Sequence, residues 1–363
     1  MKTNIPERIA ALREAMRQQK VDAYIIPSSD PHLSEYPADR WKSREWISGF
    51  TGSAGTIVVT ADKAGLWTDS RYFLQAASQL EGSGIELYKL ALPETPSITE
   101  FLLHELHAGQ AVGLDGQTYS AAEASALANK LSRKEIKLDT SADLIEGIWK
   151  DRPAVPGNPI FEMPEALSGA SVHEKLDLIN NQLRSEGADC LILAALDEIA
   201  WTFNIRGTDV TYNPVVVSYA FVSEDESVLF IKPEKLTAEI TEHLKKEGVT
   251  LAEYSMIQRY LSRLPENSRV FVDMNKTNVS LYDAIPGSCT IVEGISPANH
   301  LKSIKNETEI KGFQNAVVKD GVALTKFYIW LEKQMAEGAQ VTEISAAEKL
   351  TALRAEQPQY IMR

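Results

Sequence analysis

The sequence contains a weak internal repeat that restricts the folds open to it. At two places 167 positions apart, an apolar stripe with helical spacing leads into a short apolar run with the pattern of a buried strand. The stripes consist of Ile9, Leu12 and Met16 in the first copy and Leu176, Ile179 and Leu183 in the second. The runs that follow them are 21–26 and 188–193. Helix and strand thus alternate in both copies, which is typical of an α/β fold.

The repeat resumes further along each copy. The strand patterns 65–67 and 228–231 are each followed by a helical stretch, and the segment 112–115 is matched by 270–273. We therefore predict two α/β domains of similar plan in tandem. They divide at a linker rich in proline and glycine, which gives the predicted domains 1–155 and 156–305.

A third region, 306–363, has a helical pattern without strands. An apolar stripe from Ile310 to Leu331 predicts one long helix, and a capping pattern at Thr342 predicts the start of another. These helices either pack on the first two domains or begin a third domain that continues past Arg363. We favour the second interpretation, because an apolar stripe of this length would otherwise remain exposed.

Composition narrows the class of protein. The chain has 50 acidic and 37 basic residues, so its net charge is −13. This argues against nucleic acid or an anionic membrane as partner, because both select basic surfaces. The 2 cysteines cannot form a disulfide framework. Since no signal segment and no bilayer-spanning run is visible, we expect a cytoplasmic protein without membrane contact.

Two unusual tracts carry no recognisable chemistry by themselves. The glycine-rich tract 49–56 is followed by a strand pattern and lacks a lysine. We interpret it as a turn between two strands rather than a phosphate loop. The tract 196–207 combines charges with large aromatic residues, which suggests a shaped surface rather than a core element.

Two side chains are candidate binding residues. Arg71 is predicted to lie in the first turn of a helix capped by Thr68 or Asp69, where the helix dipole disfavours a cation. Its guanidinium could hold a carboxylate or a carbonyl, and the alternative is a structural ion pair with Asp69 or another carboxylate. His32 is placed in a polar loop after a strand, either as an acid or base or as a loop histidine without a specific role.

The residues by themselves reveal no catalytic or metal centre. No histidine pairs with carboxylates at the spacing of metal ligands, and neither a serine elbow nor a cysteine–histidine signature is present. We therefore predict no catalytic residue and no metal ligand in this span.

Seven tracts form an ordered series over nearly the whole chain. They are 23–36, 48–56, 67–77, 148–153, 195–207, 213–220 and 341–347. Together they resemble the proline-specific aminopeptidase P family, in its long three-domain cytosolic branch. The tract that begins at Trp67 contains Arg71.

The resemblance implies two creatinase N-terminal-like α/β domains followed by the initial helices of an incomplete pita-bread catalytic domain. It implies hydrolysis of the first peptide bond of peptides that carry proline in second position. Two metal ions, usually manganese, activate the attacking water in that family, and their ligands lie deep in the third domain. Those positions would follow Arg363, so this span is expected to shape substrate access and to be inactive alone. The family's catalytic domain commonly supports a homodimer.

The resemblance also bears on the two candidate residues. Arg71 matches the family arginine that reaches from the first domain toward the substrate. His32 lies in a matching tract and is taken as a second substrate-binding candidate. The alternative function is a non-catalytic module that binds peptides or assembles subunits.

Overall fold

The first copy of the repeat forms a six-stranded sheet in the computed structural model, which describes residues 4–360. Its strands are β1 (Ala23–Ile26), β2 (Thr56–Thr60), β3 (Ala64–Thr68), β4 (Glu86–Lys89), β5 (Ala111–Leu114) and β6 (Lys137–Asp139). Its helices are α1 (Ile5–Gln19), α2 (Ser43–Ser48), α3 (Phe73–Gln79), α4 (Ile98–Glu105), α5 (Ala121–Ser132) and α6 (Leu144–Ile148).

The second copy forms another six-stranded sheet beside a two-stranded ribbon. The strands are β7 (Phe161–Glu162), β8 (Cys190–Leu193), β9 (Ile205–Arg206), β10 (Ser218–Ser223), β11 (Ser227–Ile231), β12 (Val249–Ala252), β13 (Arg269–Val272) and β14 (Thr290–Glu293). The helices are α7 (Glu165–Ser168), α8 (Val172–Glu186), α9 (Leu196–Thr202), α10 (Ala238–Lys246), α11 (Ile257–Leu261), α12 (Val279–Asp283) and α13 (Pro297–Ser303). The ribbon pairs β7 with β9.

The two large sheets share one topology. Their strand orders are β4-β3-β2-β1-β5-β6 and β12-β11-β10-β8-β13-β14. In each sheet the first strand pairs antiparallel with its sequence neighbour and parallel with a later strand. Helices α1 and α8 both have 15 residues and both bury the repeated stripe. The predicted tandem of two α/β domains is confirmed, although its boundaries at 155 and 305 stay predictions.

The central strand of each sheet is buried on both faces. In β1, Tyr24 and Ile26 contact the cluster under α1, whereas Ala23 and Ile25 contact the cluster under α4 and α5. In β8 the side chains divide in the same way between two clusters. Helices on both faces of a sheet require continuous apolar runs rather than alternation, which explains the strand patterns in the sequence.

The third region contains two helices, α14 (Glu307–Ala336) and α15 (Glu343–Ala355). The predicted cap at Thr342 is confirmed, because its side chain accepts from the backbone N–H of Ser345. Phe313 and Val317 on α14 are 60% and 69% exposed. Ile344 on α15 is exposed as well. None of the helices in the described part of the chain is long and apolar enough to cross a membrane.

The structure corrects two readings of unusual tracts. The glycine-rich tract does precede a strand, but it follows helix α2, whose C-cap residue Gly49 has the left-handed conformation. It therefore links a helix to a strand instead of joining two strands. The tract 196–207 is mostly the buried helix α9, so it is a core element and not a shaped surface. Its charge at Glu198 is accommodated by a hydrogen bond from Asn299.

The repeated apolar stripes should contribute similarly to the free energy of unfolding in the two domains. Leu12 and Ile179 are fully buried at equivalent positions of α1 and α8. We expect Leu12→Ala and Ile179→Ala each to lower the free energy of unfolding by about 2–5 kcal/mol, because each leaves a cavity. Urea denaturation measures this. Leu178→Ala is the matched control, since Leu178 is 47% exposed, and a loss as large there would contradict the assignment.

Candidate functional site

The two domains meet through equivalent loops. These loops follow β5 and β13 and end at Ser120 and Asn278, which cap α5 and α12. Backbone hydrogen bonds run in both directions between them: Ala121 N–H donates to Thr277 O at 2.9 Å, and Val279 N–H donates to Tyr119 O at 2.9 Å. The interface is thus approximately symmetric, and it joins the carboxyl ends of parallel strands in both domains.

His32 lies at the centre of this interface. The structure places it 2% exposed, so the sequence-based picture of a histidine in a polar loop is incomplete. Its Nδ1 lies 2.8 Å from Ala194 O, and its Nε2 lies 2.9 Å from the Tyr254 hydroxyl. Because a carbonyl only accepts, Nδ1 carries the proton and Nε2 accepts from the hydroxyl. Burial lowers the pKa of His32 to about 3, which keeps the ring neutral.

Further polar groups complete the same cluster. Pro31 O accepts from the Tyr219 hydroxyl at 3.1 Å and from the Asn278 amide at 2.7 Å. The rings of Tyr219 and Tyr254 stack with centroids 5.1 Å apart. Asp30 accepts from the backbone N–H of His32, and burial raises the pKa of its carboxyl. Sequence reasoning missed Ala194 and Tyr254 as partners because they lie 162 and 222 positions from His32.

A cleft of about 690 Å³ opens beside this interface. Its walls come from both domains and from the linker: the segments 35–45 and 51–53, the segment 153–158, and the segment 208–212. The cleft adjoins a recess of about 480 Å³, which shares Glu35, Tyr36, Thr211 and Tyr212 with it. These two cavities are the candidate binding space of the described residues.

Arg44 shapes one wall of the cleft. It is 6% exposed and donates to Ser28 Oγ and to the carbonyls of Phe50 and Gly52. Desolvation lowers the pKa of Arg44 to about 10, still well above neutral pH. A buried arginine that pairs with carbonyls of a glycine-rich segment fixes that segment in one conformation. The only sequence signal for this was an arginine in α2, close to the glycines.

Arg71 lies on the surface of the first domain, in a 3₁₀ turn capped by Asp69. Its Nε and Nη2 donate to the two oxygens of Asp69 at 2.8 Å each, so the ion pair considered as the alternative is present. The carboxylate raises the pKa of Arg71. The Arg71 side chain is 65% exposed. Its Nη1 has no hydrogen-bond partner among residues 4–360 and could donate to a ligand.

The predicted candidates do not converge on one centre. His32 is buried in the interface, whereas Arg71 is exposed on the first domain. Across the described range, no group of three or more histidine, cysteine, aspartate or glutamate side chains could hold a metal ion. The described side chains line cavities that could bind a ligand.

The chain matches known proteins over almost all its length. Two sequence models described as the creatinase/prolidase N-terminal domain match residues 8–148 and 151–309. A probable Xaa-Pro aminopeptidase P of Coprinopsis cinerea is 38% identical over 96% of this chain and 58% of its own length. The Xaa-Pro aminopeptidase ApepP of Drosophila melanogaster is 36% identical over 99% of this chain and 60% of its own length.

A solved structure shows the same arrangement of domains. The X-prolyl aminopeptidase of Caenorhabditis elegans, described as a cytosolic enzyme with a dinuclear active site, superposes with a TM-score of 0.92 at 30% identity. The match covers 99% of this chain and 61% of that structure. The chain therefore spans roughly three fifths of the length of these relatives.

The fold and these matches define the class of protein. Both α/β domains are creatinase/prolidase N-terminal domains, arranged in tandem and followed by two helices of a third region. The chain belongs to the aminopeptidase P family of Xaa-Pro aminopeptidases.

The His32 cluster predicts a pH-dependent stability. His32→Phe leaves Ala194 O and the Tyr254 hydroxyl without their partner, so we expect a loss of about 1–3 kcal/mol of unfolding free energy at pH 7. The folded ring stays neutral down to about pH 3, whereas an unfolded histidine has a pKa near 6.5. Wild-type stability from this group is therefore complete above pH 6.5. It falls by about 1.4 kcal/mol per unit as the pH drops toward 3.

The variant lacks this proton linkage, so its deficit should shrink as the pH decreases. Urea denaturation of both proteins between pH 7 and pH 4.5 measures the difference, and titrations shared by both proteins cancel. His107→Phe, at an exposed histidine, is the control with a change within about 0.5 kcal/mol. A deficit that stays constant with pH would contradict the neutral, buried state of His32.

Proposed function

We propose that this chain is the substrate-shaping part of a metal-dependent Xaa-Pro aminopeptidase. The whole protein would remove the N-terminal residue from peptides that carry proline in second position. The observation that carries the proposal is the similarity to named Xaa-Pro aminopeptidases over 96–99% of this chain, together with the tandem domain plan it shares with one of them.

The metal centre is proposed to lie outside this span. We infer two manganese ions in the whole protein, which would supply a polarised water as nucleophile. The residues described in this chain do not form a ligand set for such ions, so their part is to bind and orient the peptide. If the metal centre lies in another part of the protein, this chain needs surfaces that bind the peptide and no catalytic groups of its own.

Arg71 and His32 receive different parts in this proposal. Arg71 would donate from its free Nη1 to a carbonyl or carboxylate of the peptide, while Asp69 holds the rest of the guanidinium in place. His32 would act on substrate binding through the loop it anchors, because its two ring nitrogens already have partners. Arg71 is thus the direct contact and His32 a positioning residue.

Composition and family suggest the compartment, the partners and the assembly of the proposed enzyme. We propose a cytoplasmic protein that acts on peptides and assembles as a homodimer through its catalytic domain. A net charge of −13 disfavours nucleic acid and anionic membranes as partners.

Hydrolysis of a short Xaa-Pro-Pro peptide tests the proposal. We expect the 363-residue chain with added manganese to release no amino acid, and a longer protein that includes this chain and a complete third domain to release the first residue. A peptide with alanine in second position is the control substrate, and a chelator should abolish turnover. Activity of this chain that survives repurification would contradict the proposed place of the metal centre. Inactivity of the longer protein would favour a non-catalytic peptide-binding module.

Arg71 should matter to turnover and not to folding. In the longer protein we expect Arg71→Ala to lower kcat/KM about 10- to 100-fold, because a charged hydrogen bond to the substrate contributes about 1.5–3 kcal/mol. Arg17→Ala is the matched control, since Arg17 is another exposed arginine paired with a carboxylate of its own helix turn. Equal kcat/KM for the two variants, at unchanged melting temperature, would remove Arg71 from the substrate site.

A further inference from the structure

The two large sheets have four edge strands, and one of these lacks the usual protection. The strands β4 and β6 border the first sheet, and β12 and β14 border the second. At least one charged residue occurs in β4, in β6 and in β14, whereas β12 has the uncharged sequence Val-Thr-Leu-Ala. Charged side chains on an edge strand hinder its pairing with another chain. A strand without them is suited to such pairing.

The backbone of β12 has free polar groups for one more strand. Within residues 4–360, β12 pairs with β11 alone, in a parallel register that runs from Val249 with Ser227 to Ala252 with Phe230. Residues 249–252 make no further backbone hydrogen bond in this range. An edge strand that pairs on one side leaves a row of N–H and C=O groups unpaired on the other. That row can bind the main chain of an extended segment.

A cavity of about 600 Å³ lies against this free edge, and we call it the edge groove. Its lining includes every residue from 248 to 253, the side chains of Thr241 and Lys245 on α10, and Leu236. Successive side chains of a strand point to opposite faces, so a cavity that contacts all of them opens at the strand edge. None of its lining residues lines the cleft between the domains or the adjoining recess.

The edge groove is apolar along its floor and positively charged at one end. Leu236 and Leu251 are partly buried and pack against the core cluster under α10. Lys245 is exposed, and its ammonium group has no hydrogen bond or ion pair with any residue in the range 4–360. At the other end, the Glu253 carboxylate is engaged, because it accepts from Ser255 N–H at 2.8 Å. The free charge of the groove is therefore a cation, which favours a carboxylate of the ligand.

A second copy of this chain fits the edge groove less well than a single peptide segment. Antiparallel pairing of two β12 strands would bring each Lys245 toward the Glu253 of the other copy, but that carboxylate already caps a turn. A ladder of four residues from each copy is also short for a specific interface, which needs about 1,000 Å² of buried surface. A peptide strand contacts both the edge of β12 and the overhanging side of α10.

We propose that the edge groove binds an extended acidic segment of a partner protein, which adds to β12 as a further strand of the second sheet. The partner's main chain bonds to the outer groups of β12, its apolar side chains contact Leu236 and Leu251, and a carboxylate pairs with Lys245. Proline does not fit the paired positions, because it lacks the N–H. This ligand differs from a substrate with proline in second position, and its binding does not depend on the proposed hydrolysis.

Hydrogen–deuterium exchange of the 363-residue chain, with and without a peptide, tests the proposal. The probe is an N-acetylated peptide of alternating valine and glutamate, eight residues or about 26 Å long as a strand. Without proline and with a blocked N-terminus, it does not enter the hydrolysis reaction. We expect slower exchange in residues 248–253 and, by fluorescence anisotropy, a Kd of about 300 µM or tighter. A peptide of alternating valine and lysine should not bind.

Methylation of the peptide backbone separates strand addition from binding through side chains alone. One version of the probe carries N-methyl groups on its valines and another carries them on its glutamates. Alternate residues of a strand direct their N–H groups to the same side, so each version blocks one edge of the peptide. We expect one version to bind at least about tenfold more weakly than the other, because only one edge of the peptide faces β12.

Two lysines of α10 supply matched variants of the protein. Lys245→Glu should raise Kd about tenfold, because it replaces the attraction for the peptide carboxylate with repulsion. Lys246→Glu is the control with a change below about threefold, since Lys246 pairs with Glu242 and does not line the edge groove. Both lysines are exposed, so both variants should fold, which circular dichroism checks.

Several outcomes would overturn the proposal. They are absence of saturation up to about 1 mM peptide, unchanged exchange in residues 248–253 at saturation, equal affinity of the two methylated peptides, and equal affinity of the two lysine variants. Slower exchange of β12 that depends on protein concentration instead of peptide would assign the edge to a second copy of the chain and would also overturn it. Each outcome leaves the hydrolysis test untouched, because that test measures product release by the longer protein.

Discussion

The contact between the two α/β domains depends on satisfying polar groups that neither domain can satisfy alone. Pro31 O, the His32 ring and Asn278 lie in the interface, and each finds its hydrogen-bond partner in the other domain. An unpaired polar group in such a position costs about 1–3 kcal/mol, so small rotations between the domains are penalised at several atoms together. One relative orientation results, and it determines the shape of the cleft that both domains line.

This contact also explains where binding surfaces are found. In open α/β sheets, ligands usually bind outside the carboxyl ends of parallel strands. Here the loops that follow β1 and β5 meet those that follow β8 and β13, so the duplicated domains cover each other's usual ligand edge. Binding space is displaced to the loops beyond this contact, around Tyr36 in the first domain and Tyr212 in the second. Duplication of a fold thus changed which of its surfaces are accessible.

Some charged side chains of this protein are buried and hold the fold together. The buried bases Arg44 and Lys235 face inward, where Arg44 binds carbonyls and Lys235 pairs with Asp209. Each holds a loop that lines the cleft. The net charge of −13 does not tell which charges are buried and which are paired.

The sequence by itself determined the elements and their duplication. Helical stripes such as Ile9 to Met16, strand runs and caps such as Thr342 are local patterns, and local patterns are readable because they depend on residues a few positions apart. It also indicated Asp69 as the partner of Arg71, two positions away. Only the tertiary structure decided that His32 is buried, since its partners are 162 and 222 positions distant. The positive φ of Tyr212 is likewise a backbone conformation that no residue pattern specifies. The cleft also depends on the tertiary structure, because its walls come from segments that lie far apart in the sequence.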